Sequence, residues 1–172
     1  MISKLDLQYT EKFLSFFKEL VRRDPERVER VSDVEKITLE NEQAWVERLI
    51  QKEEQGEMIV RLGMESDNIV VEGEVERKSR WIERHVAEIR FGMLPNNESI
   101  AKEVVSELIK QARVQGIEIL FYFHLRTQKA GISIMKDLGF KEFGVIEKYY
   151  KRDNEYVDRV YLMKNISENH QA

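Results

Sequence analysis

The run IEILFYFHL, residues 117–125, constrains the fold of this chain more than any other stretch of its sequence. Its residues are nearly all apolar, which is typical of a strand that is buried on both faces of a sheet. Helical and extended patterns alternate along the rest of the 172 residues. The sequence therefore predicts one α/β (α+β) domain over residues 1–166, because a chain of this length and apolar content can form a single core.

Amphipathic stretches predict the helices. Residues 9–23, YTEKFLSFFKELVRR, and residues 39–56, LENEQAWVERLIQKEEQG, carry apolar side chains at helical spacing. A third stripe runs from Ile100 to Ala112 and is ended by Gly116, since glycine commonly follows the last turn of a helix. A short fourth helix is expected in QKAGISIMKDLGF, residues 128–140.

Runs of β-branched residues predict the strands. A short strand is expected at ISKL, residues 2–5, and three runs between residues 57 and 94 predict an antiparallel meander. The segments EFGVIEKYYKRD and EYVDRVYLMK predict a hairpin that turns at Asp153 and Asn154. The tail SENHQA, residues 167–172, is expected to be disordered.

Composition argues against several classes of protein. The formal net charge of −4, from 28 basic and 32 acidic residues, disfavours nucleic acid and anionic membranes as partners. Because the sequence has no cysteine and only three histidines, few side chains of the types that bind zinc are available, and a metal site is disfavoured. No apolar run approaches the ~20 residues of a membrane span, and the start lacks the apolar segment of a signal peptide, so we expect a cytoplasmic protein. A charged fraction of 35% without cysteine would suit a thermophile.

The order β-α-α-β-β-β-α-β-α-β-β and two segments of the chain resemble the GNAT acyltransferases. HVAEIRFGMLP, residues 85–95, is similar to the central strand of that family. GISIMKDLGFKEFGVIEKYYKRDNEYVDRVYLMK, residues 131–164, is similar to its C-terminal third. The resemblance implies the GNAT fold, with a mixed central sheet of about six to seven strands flanked by about four helices. It also implies transfer of an acetyl group from acetyl-CoA to the amine of a small molecule or of a peptide N-terminus.

The turn after the central strand departs from the family pattern. The family carries an Arg/Gln-x-x-Gly-x-Gly/Ala motif there, whose backbone amides and helix N-terminus hold the cofactor pyrophosphate. The corresponding stretch here is NNESIA, residues 96–101, and only Ala101 agrees with the motif. Glu98 would stabilise the start of a helix, but its charge would repel a pyrophosphate. Acetyl-CoA is therefore expected to bind weakly, if it binds.

Two interpretations of this turn stay open. In the first, the asparagine side chains cap the following helix and satisfy its free amides without a ligand. In the second, the asparagine side chains and the remaining amides take over the phosphates. The residues that would then contact the cofactor here are Asn96, Asn97, Ser99, Ile100 and Ala101.

The resemblance also implies catalytic residues. Glu88 occupies the position of a general base, which takes a proton from the substrate ammonium so that the amine can attack the thioester. The alternative is that Glu88 only forms an ion pair with Arg90 or with a neighbouring strand. A tyrosine that protonates the leaving thiolate in many members is replaced by Met135, so Tyr149 or Tyr150 is expected to substitute for it.

The resemblance also implies which residues contact the pantetheine arm of the cofactor. The backbone of Gly92, Met93 and Leu94 corresponds to the stretch that pairs with this arm in the family, and Gln128 falls near an asparagine that contacts it. Two functions stay open from these residues. One is an acyl-CoA-dependent N-acetyltransferase, and the other is a degenerate family relative that has lost catalysis and serves as a binding or assembly module. A homodimer is considered beside both.

Overall fold

A computed structural model describes residues 1–167. The tail that was expected to be disordered, residues 167–172, lies outside the described residues except for Ser167. Residues 1–167 form seven strands and five α-helices. They are β1 Ile2–Lys4, α1 Thr10–Arg23, α2 Val31–Val34, α3 Leu39–Glu54, β2 Met58–Glu65, β3 Asn68–Arg77, β4 Val86–Met93, α4 Glu98–Val114, β5 Ile119–Leu125, α5 Lys129–Asp137, β6 Lys141–Arg152 and β7 Glu155–Asn165. The predicted mixed sheet with flanking helices is confirmed. The helix beyond the four that were predicted is α2, which is a single turn.

The seven strands form one sheet in the order β1-β2-β3-β4-β5-β7-β6. The predicted meander is confirmed, because β2, β3 and β4 pair as antiparallel neighbours. The predicted hairpin is confirmed as well, and Asp153 takes a left-handed conformation in its turn, with φ of 51°. Strands β4 and β5 are parallel. Helix α4 makes the crossover between them, as parallel neighbours require.

The two parallel strands separate toward their carboxyl ends. In the described chain they pair only at Val86–Ile119, Ala87–Leu120 and Glu88–Phe121. Beyond these positions, β4 continues beside β3 to Met93 and β5 continues beside β7 to Leu125. A gap therefore opens in the middle of the sheet, between the C-terminal halves of β4 and β5.

Helices cover the sheet on both faces, but unevenly. Helices α4 and α5 pack on one face, and α1 and α3 pack on the other face over β1 to β3. Strand β5 is therefore less enclosed than its apolar sequence predicts. Leu120, Tyr122 and His124 are buried against the α4 and α5 side, whereas Phe121 and Phe123 on the opposite face are only half-buried. The expectation of burial on both faces is wrong because α1 and α3 do not extend over this half of the sheet.

Candidate active site

A cleft of about 590 Å³ opens where β4 and β5 separate. Its walls come from the ends of both strands, the turn before α4, the start of α5, the segment between α1 and α2, and Tyr150 of β6. In sheets with parallel strands, ligands bind in the crevice outside the carboxyl ends of the strands. The position of this cleft follows from the crossover topology, and we take it as the candidate site.

The structure brings some of the predicted cofactor residues into this cleft. Gly92, Met93, Asn96 and Gln128 line it directly. The other predicted residues of the same turn and helix start do not line it. They are Leu94, Asn97, Ser99, Ile100 and Ala101. Of these, Ala101 lies on the core-facing side of α4 and is fully buried.

The backbone of β4 offers its free groups at alternate residues. Leu94 donates its amide to the carbonyl of Val70 on β3, at 2.9 Å, and Val86 accepts from Lys78 on the same side. Because neighbouring residues of a strand point their backbone groups to opposite edges, those of Met93 and Phe91 face the gap toward β5. Of the three residues predicted to pair with a ligand arm, Met93 is thus the one whose backbone is directed into the cleft.

The start of α4 is not capped in the way that the sequence predicts. Asn97 occupies the cap position, and within the described chain its side chain makes no hydrogen bond to the first-turn amides. Its Nδ2 instead donates to the carbonyls of Leu94, at 3.1 Å, and Pro95, at 3.0 Å. Asn96 takes a left-handed conformation, with φ of 66°. The reversal at Asn96 lets Asn97 fold back on the preceding turn, so the first amides of α4 lack a side-chain cap.

Glu98 and these free amides act in opposite senses on an anion. The uncapped amides at a helix N-terminus carry a partial positive charge and attract anions. Glu98 is exposed, lies in the first turn and lines the cleft, so its carboxylate opposes that attraction. The helix start therefore presents both free amides and an opposing carboxylate to the cleft.

Glu88 lies in a cross-strand ion cluster. Its side chain is 14% exposed and accepts a hydrogen bond of 3.2 Å from Arg90, whose guanidinium also bonds Glu74, at 2.7 Å, and Glu76, at 2.9 Å. Lys78 lies 3.9 Å from the second Glu88 oxygen. The ion pair that the sequence offered as an alternative role is therefore present. Arg90 lines the cleft, whereas Glu88 does not.

Two carboxyl groups of β3 extend this cluster and were not predicted from the sequence. Glu72 lies opposite Gly92, and Glu74 lies opposite Arg90. Burial raises the pKa of Glu72 well above its usual range; Glu74 adds to the rise, and Arg27 and Arg90 oppose it. Burial also raises the pKa of Glu74, although Arg90 counters it. The alternation in VEGEVE indicates that these acids share one face of β3, and the register with β4 is what places them beside Arg90.

The segment between α1 and α2 forms the opposite wall. Arg27 pairs with Glu29 through two hydrogen bonds, at 2.9 and 3.0 Å. A Cβ built on Gly92 would lie 3.5 Å from Nη1 of Arg27 and 2.6 Å from a methyl carbon of Leu20, so this glycine allows the wall to approach β4. Arg152 of β6 donates to the carbonyl of Arg27, at 2.7 Å, and holds the segment in place.

The two candidate acid tyrosines differ in position. Tyr150 lines the cleft, and burial raises the pKa of its hydroxyl. Tyr149 is 47% exposed, does not line the cleft and accepts a hydrogen bond of 2.6 Å from Arg159. Met135 is fully buried in the core. Tyr150 is thus the one that could donate a proton inside the cleft.

Two further side chains of the cleft, Tyr122 and His124, were also missed. They occupy alternate positions of β5, point to the same face and have ring centroids 4.8 Å apart. Burial raises the pKa of Tyr122 and lowers the pKa of His124 to about 4. The sequence predicted a buried strand here, with His124 at its end as a structural residue, because the separation of β4 from β5 that places these side chains along a cleft is not visible in the sequence.

The described residues contain no group of three or more histidine, aspartate or glutamate side chains arranged to hold a metal ion. Among the helices of residues 1–167, none is long and apolar enough to cross a membrane.

Comparisons with known proteins point to acetyltransferases. The sequence model of a family described as an acetyltransferase (GNAT) domain matches residues 11–161. No curated protein matches the sequence significantly. An acetyltransferase of the GNAT family from Streptococcus pneumoniae has a TM-score of 0.85 at 15% identity, over 97% of this chain and 99% of that one.

Two other solved structures are similar to the whole chain. A putative acetyltransferase from Salmonella typhimurium, solved with its cofactor acetyl-CoA, has a TM-score of 0.81 at 17% identity, over 100% of this chain and 96% of that one. A ribosomal-protein-alanine N-acetyltransferase from Brucella melitensis has a TM-score of 0.79 at 18% identity, over 96% and 99%. At these identities the likeness to solved structures shows the fold alone.

Proposed function

Because the chain belongs to the GNAT acetyltransferase family, we propose that it transfers an acetyl group from acetyl-CoA to an amine, with a weakened hold on the cofactor. The observation that carries this proposal is the cleft between the separated ends of β4 and β5, which meets the uncapped start of α4. An acyl carrier with a phosphate group at one end and a long polar arm fits such a site.

The residues of the cleft fit acetyl-CoA in kind. The free amides at the start of α4 and the Asn96 turn would take its phosphates, and the gap-facing backbone of Met93 would pair with its arm. Gln128 lies at the entrance to α5 and already bonds the amide of Leu125, at 3.2 Å, which fixes its carboxamide against the cleft. Glu98 would lower the affinity, because its charge lies close to where the phosphates would sit.

Acid–base chemistry would come from two groups of the chain. When bound, acetyl-CoA supplies an activated acetyl thioester. Glu88 would accept the proton of the acceptor ammonium through water, because Glu88 itself does not line the cleft whereas Arg90, which hydrogen-bonds it, does. Tyr150 would donate a proton to the leaving thiolate, which balances the charge that forms there. The acceptor amine would enter from the side of the α1–α2 segment, where Arg27 and Glu29 face the cleft.

A second function, a binding module without catalysis, is favoured by one group of observations. Glu98 opposes phosphate, Met135 is buried where the family has a proton donor, and Glu88 is held by Arg90. A module of this kind would keep the fold and the cleft, but it would neither bind acetyl-CoA nor turn it over.

The test is acetyl transfer to a panel of polyamines, amino acids and peptide N-termini. We expect Glu88→Gln to lower turnover by about 100-fold or more while cofactor affinity is kept, because general bases contribute rate factors of that size. Glu76→Gln is the matched control, since it removes a carboxylate that binds the same Arg90. Full activity of Glu88→Gln would exclude the proposed base. Absence of both transfer and CoA binding in the wild type would favour the module.

A further inference from the structure

Arg159 of β7 lies on the face of the sheet that α1 and α3 leave uncovered. It shares this face with Tyr161, two residues further along β7, and with Phe123, which pairs with Tyr161. Its guanidinium carbon lies 3.4 Å from the ring centroid of Phe123, 4.6 Å from that of Tyr149 and 5.1 Å from that of Tyr161. Aromatic faces attract a guanidinium, so these three rings hold the end of a long side chain in one place.

The charge of Arg159 has no ion-pair partner within residues 1–167. Nη1 donates one hydrogen bond, at 2.6 Å, to the hydroxyl of Tyr149, and Nε is buried without a partner. Nη2 has no partner among these residues either, but it is not one of the buried atoms, so it is open to solvent. Arg27 and Arg90, in contrast, bond glutamate side chains. Arg159 therefore offers free donors at the edge of a planar cation, and such an edge matches a carboxylate.

Arg159 does not line the cleft, but two of its neighbours do. Phe123, which lies against the guanidinium, and Tyr150 are both part of the cleft wall. Burial raises the pKa of Tyr150 and the charge of Arg159 opposes the rise, because the guanidinium lies near this tyrosine as well. The segment between α1 and α2 reaches the same end of the sheet, since Arg152 of β6 donates to the carbonyl of Arg27. Arg159 thus stands beside the cleft, on the sheet face from which the acceptor would enter.

We propose that Arg159 binds the carboxylate of the acceptor, and that the acceptor is a free amino acid. An amino acid carries an ammonium and a carboxylate on one carbon atom, so its amine can enter the cleft while its carboxylate bonds the guanidinium. Glu74 and Glu88, on the strands across the gap, would favour the ammonium end. A polyamine has only positive charges, which Arg159 would repel. The inference rests on the proposed function, because it names the acceptor of that transfer.

The test compares free L-amino acids with their α-amides as acetyl acceptors. An α-amide keeps the side chain and the amine but lacks the carboxylate. The quantity measured for each protein is the ratio of kcat/KM for the acid to kcat/KM for the amide. The two acceptors also differ in amine basicity, but that difference cancels when the ratio is compared between proteins. In Arg159→Gln the ratio should fall about tenfold or more, because the variant loses a charge-assisted hydrogen bond to the acid alone.

Arg48→Gln is the matched control. Arg48 also lies over an aromatic ring, 5.6 Å from the centroid of Trp45, but it belongs to α3 and does not line the cleft. The change in net charge is the same, and the ratio should stay at the wild-type value. Arg159→Lys keeps the charge but not the planar fork, so it should lower the ratio by a smaller factor than Arg159→Gln does. Thermal melting of each variant shows whether it folds, and Arg159→Lys decides the matter if Arg159→Gln does not.

The outcomes separate this inference from the function on which it rests. If Arg159 only packs on its three rings, its variants will lower Tm and will reduce kcat/KM for acid and amide by the same factor. An unchanged ratio of that kind would overturn the proposal. Wild-type protein that acetylates other amines but no free amino acid would also overturn it and leave the proposed function standing. Wild-type protein that acetylates no amine would overturn both.

Discussion

Glu98 should set the affinity for acetyl-CoA through its charge, and Glu98→Arg tests this. The substitution changes the charge at the start of α4, beside the cleft, by two units. At a separation of roughly 8 Å in water, each pair of unit charges contributes about 0.5 kcal/mol. Acting on about two negative charges of a pyrophosphate, the substitution contributes about 2 kcal/mol before screening. The Debye length is about 30 Å at 0.01 M salt and about 8 Å at 0.15 M. Glu98→Arg should therefore tighten acetyl-CoA binding about 15-fold at 0.01 M and about fourfold at 0.15 M.

Glu103→Arg is the matched control for this prediction. Glu103 is also exposed on α4 and changes the net charge equally, but it lies about 7.5 Å further along the helix axis. It should tighten binding by about threefold at low salt and hardly at all at 0.15 M. The assay is calorimetry with acetyl-CoA at both ionic strengths. Equal effects of the two variants, or no effect of Glu98→Arg at either salt concentration, would refute a local charge effect and leave the shape of the loop as the cause.

Three other changes test the electrostatics and packing of the cleft by denaturant unfolding. The raised pKa of Glu72 means that its contribution to stability is greatest below pH 4.5 and is lost as pH rises through the folded pKa. Glu72→Gln should therefore stabilise the protein at pH 7 but not at pH 4, by about 1.4 kcal/mol for each unit of the rise; an equal effect at both pH values would contradict this. The pKa of His124 is lowered from 6.5 to about 4, so wild-type stability should fall by up to about 3 kcal/mol between those pH values. That fall should be absent in His124→Phe, and parallel pH profiles would speak against it. Gly92→Ala should lower the free energy of unfolding by about 1–3 kcal/mol, because the added Cβ would press on Leu20. Unchanged stability would show that the Leu20 side chain moves aside without cost.

The fold could be predicted because its local signals agree with one another. The apolar stripe of α4, ended by Gly116, and the alternation in β3 and β4 each specify one element. The resemblance of residues 85–95 and 131–164 to one family then implied a mixed central sheet flanked by helices. Strand β5 is the exception in detail. Its second face is half-buried, because the helices that would cover it lie over the other half of the sheet.

The sequence assigned candidate site residues only at positions that match a motif of the family. The sequence could not show which way the Asn97 side chain turns, because that depends on the left-handed conformation of Asn96. It could not show that Glu72 and Glu74 lie beside Arg90 before the register of β3 and β4 was known. His124 lines a cleft because two strands separate, and a short stretch of sequence does not show that separation.

The most direct test of the proposed function is a calorimetric titration of the wild-type protein with acetyl-CoA. We expect saturable binding at one site, with a Kd between about 1 μM and about 1 mM, because the cleft fits the carrier while Glu98 opposes its phosphates. A Kd well below about 1 μM would contradict the weakened hold on the cofactor. No binding at millimolar acetyl-CoA would contradict the acetyltransferase itself.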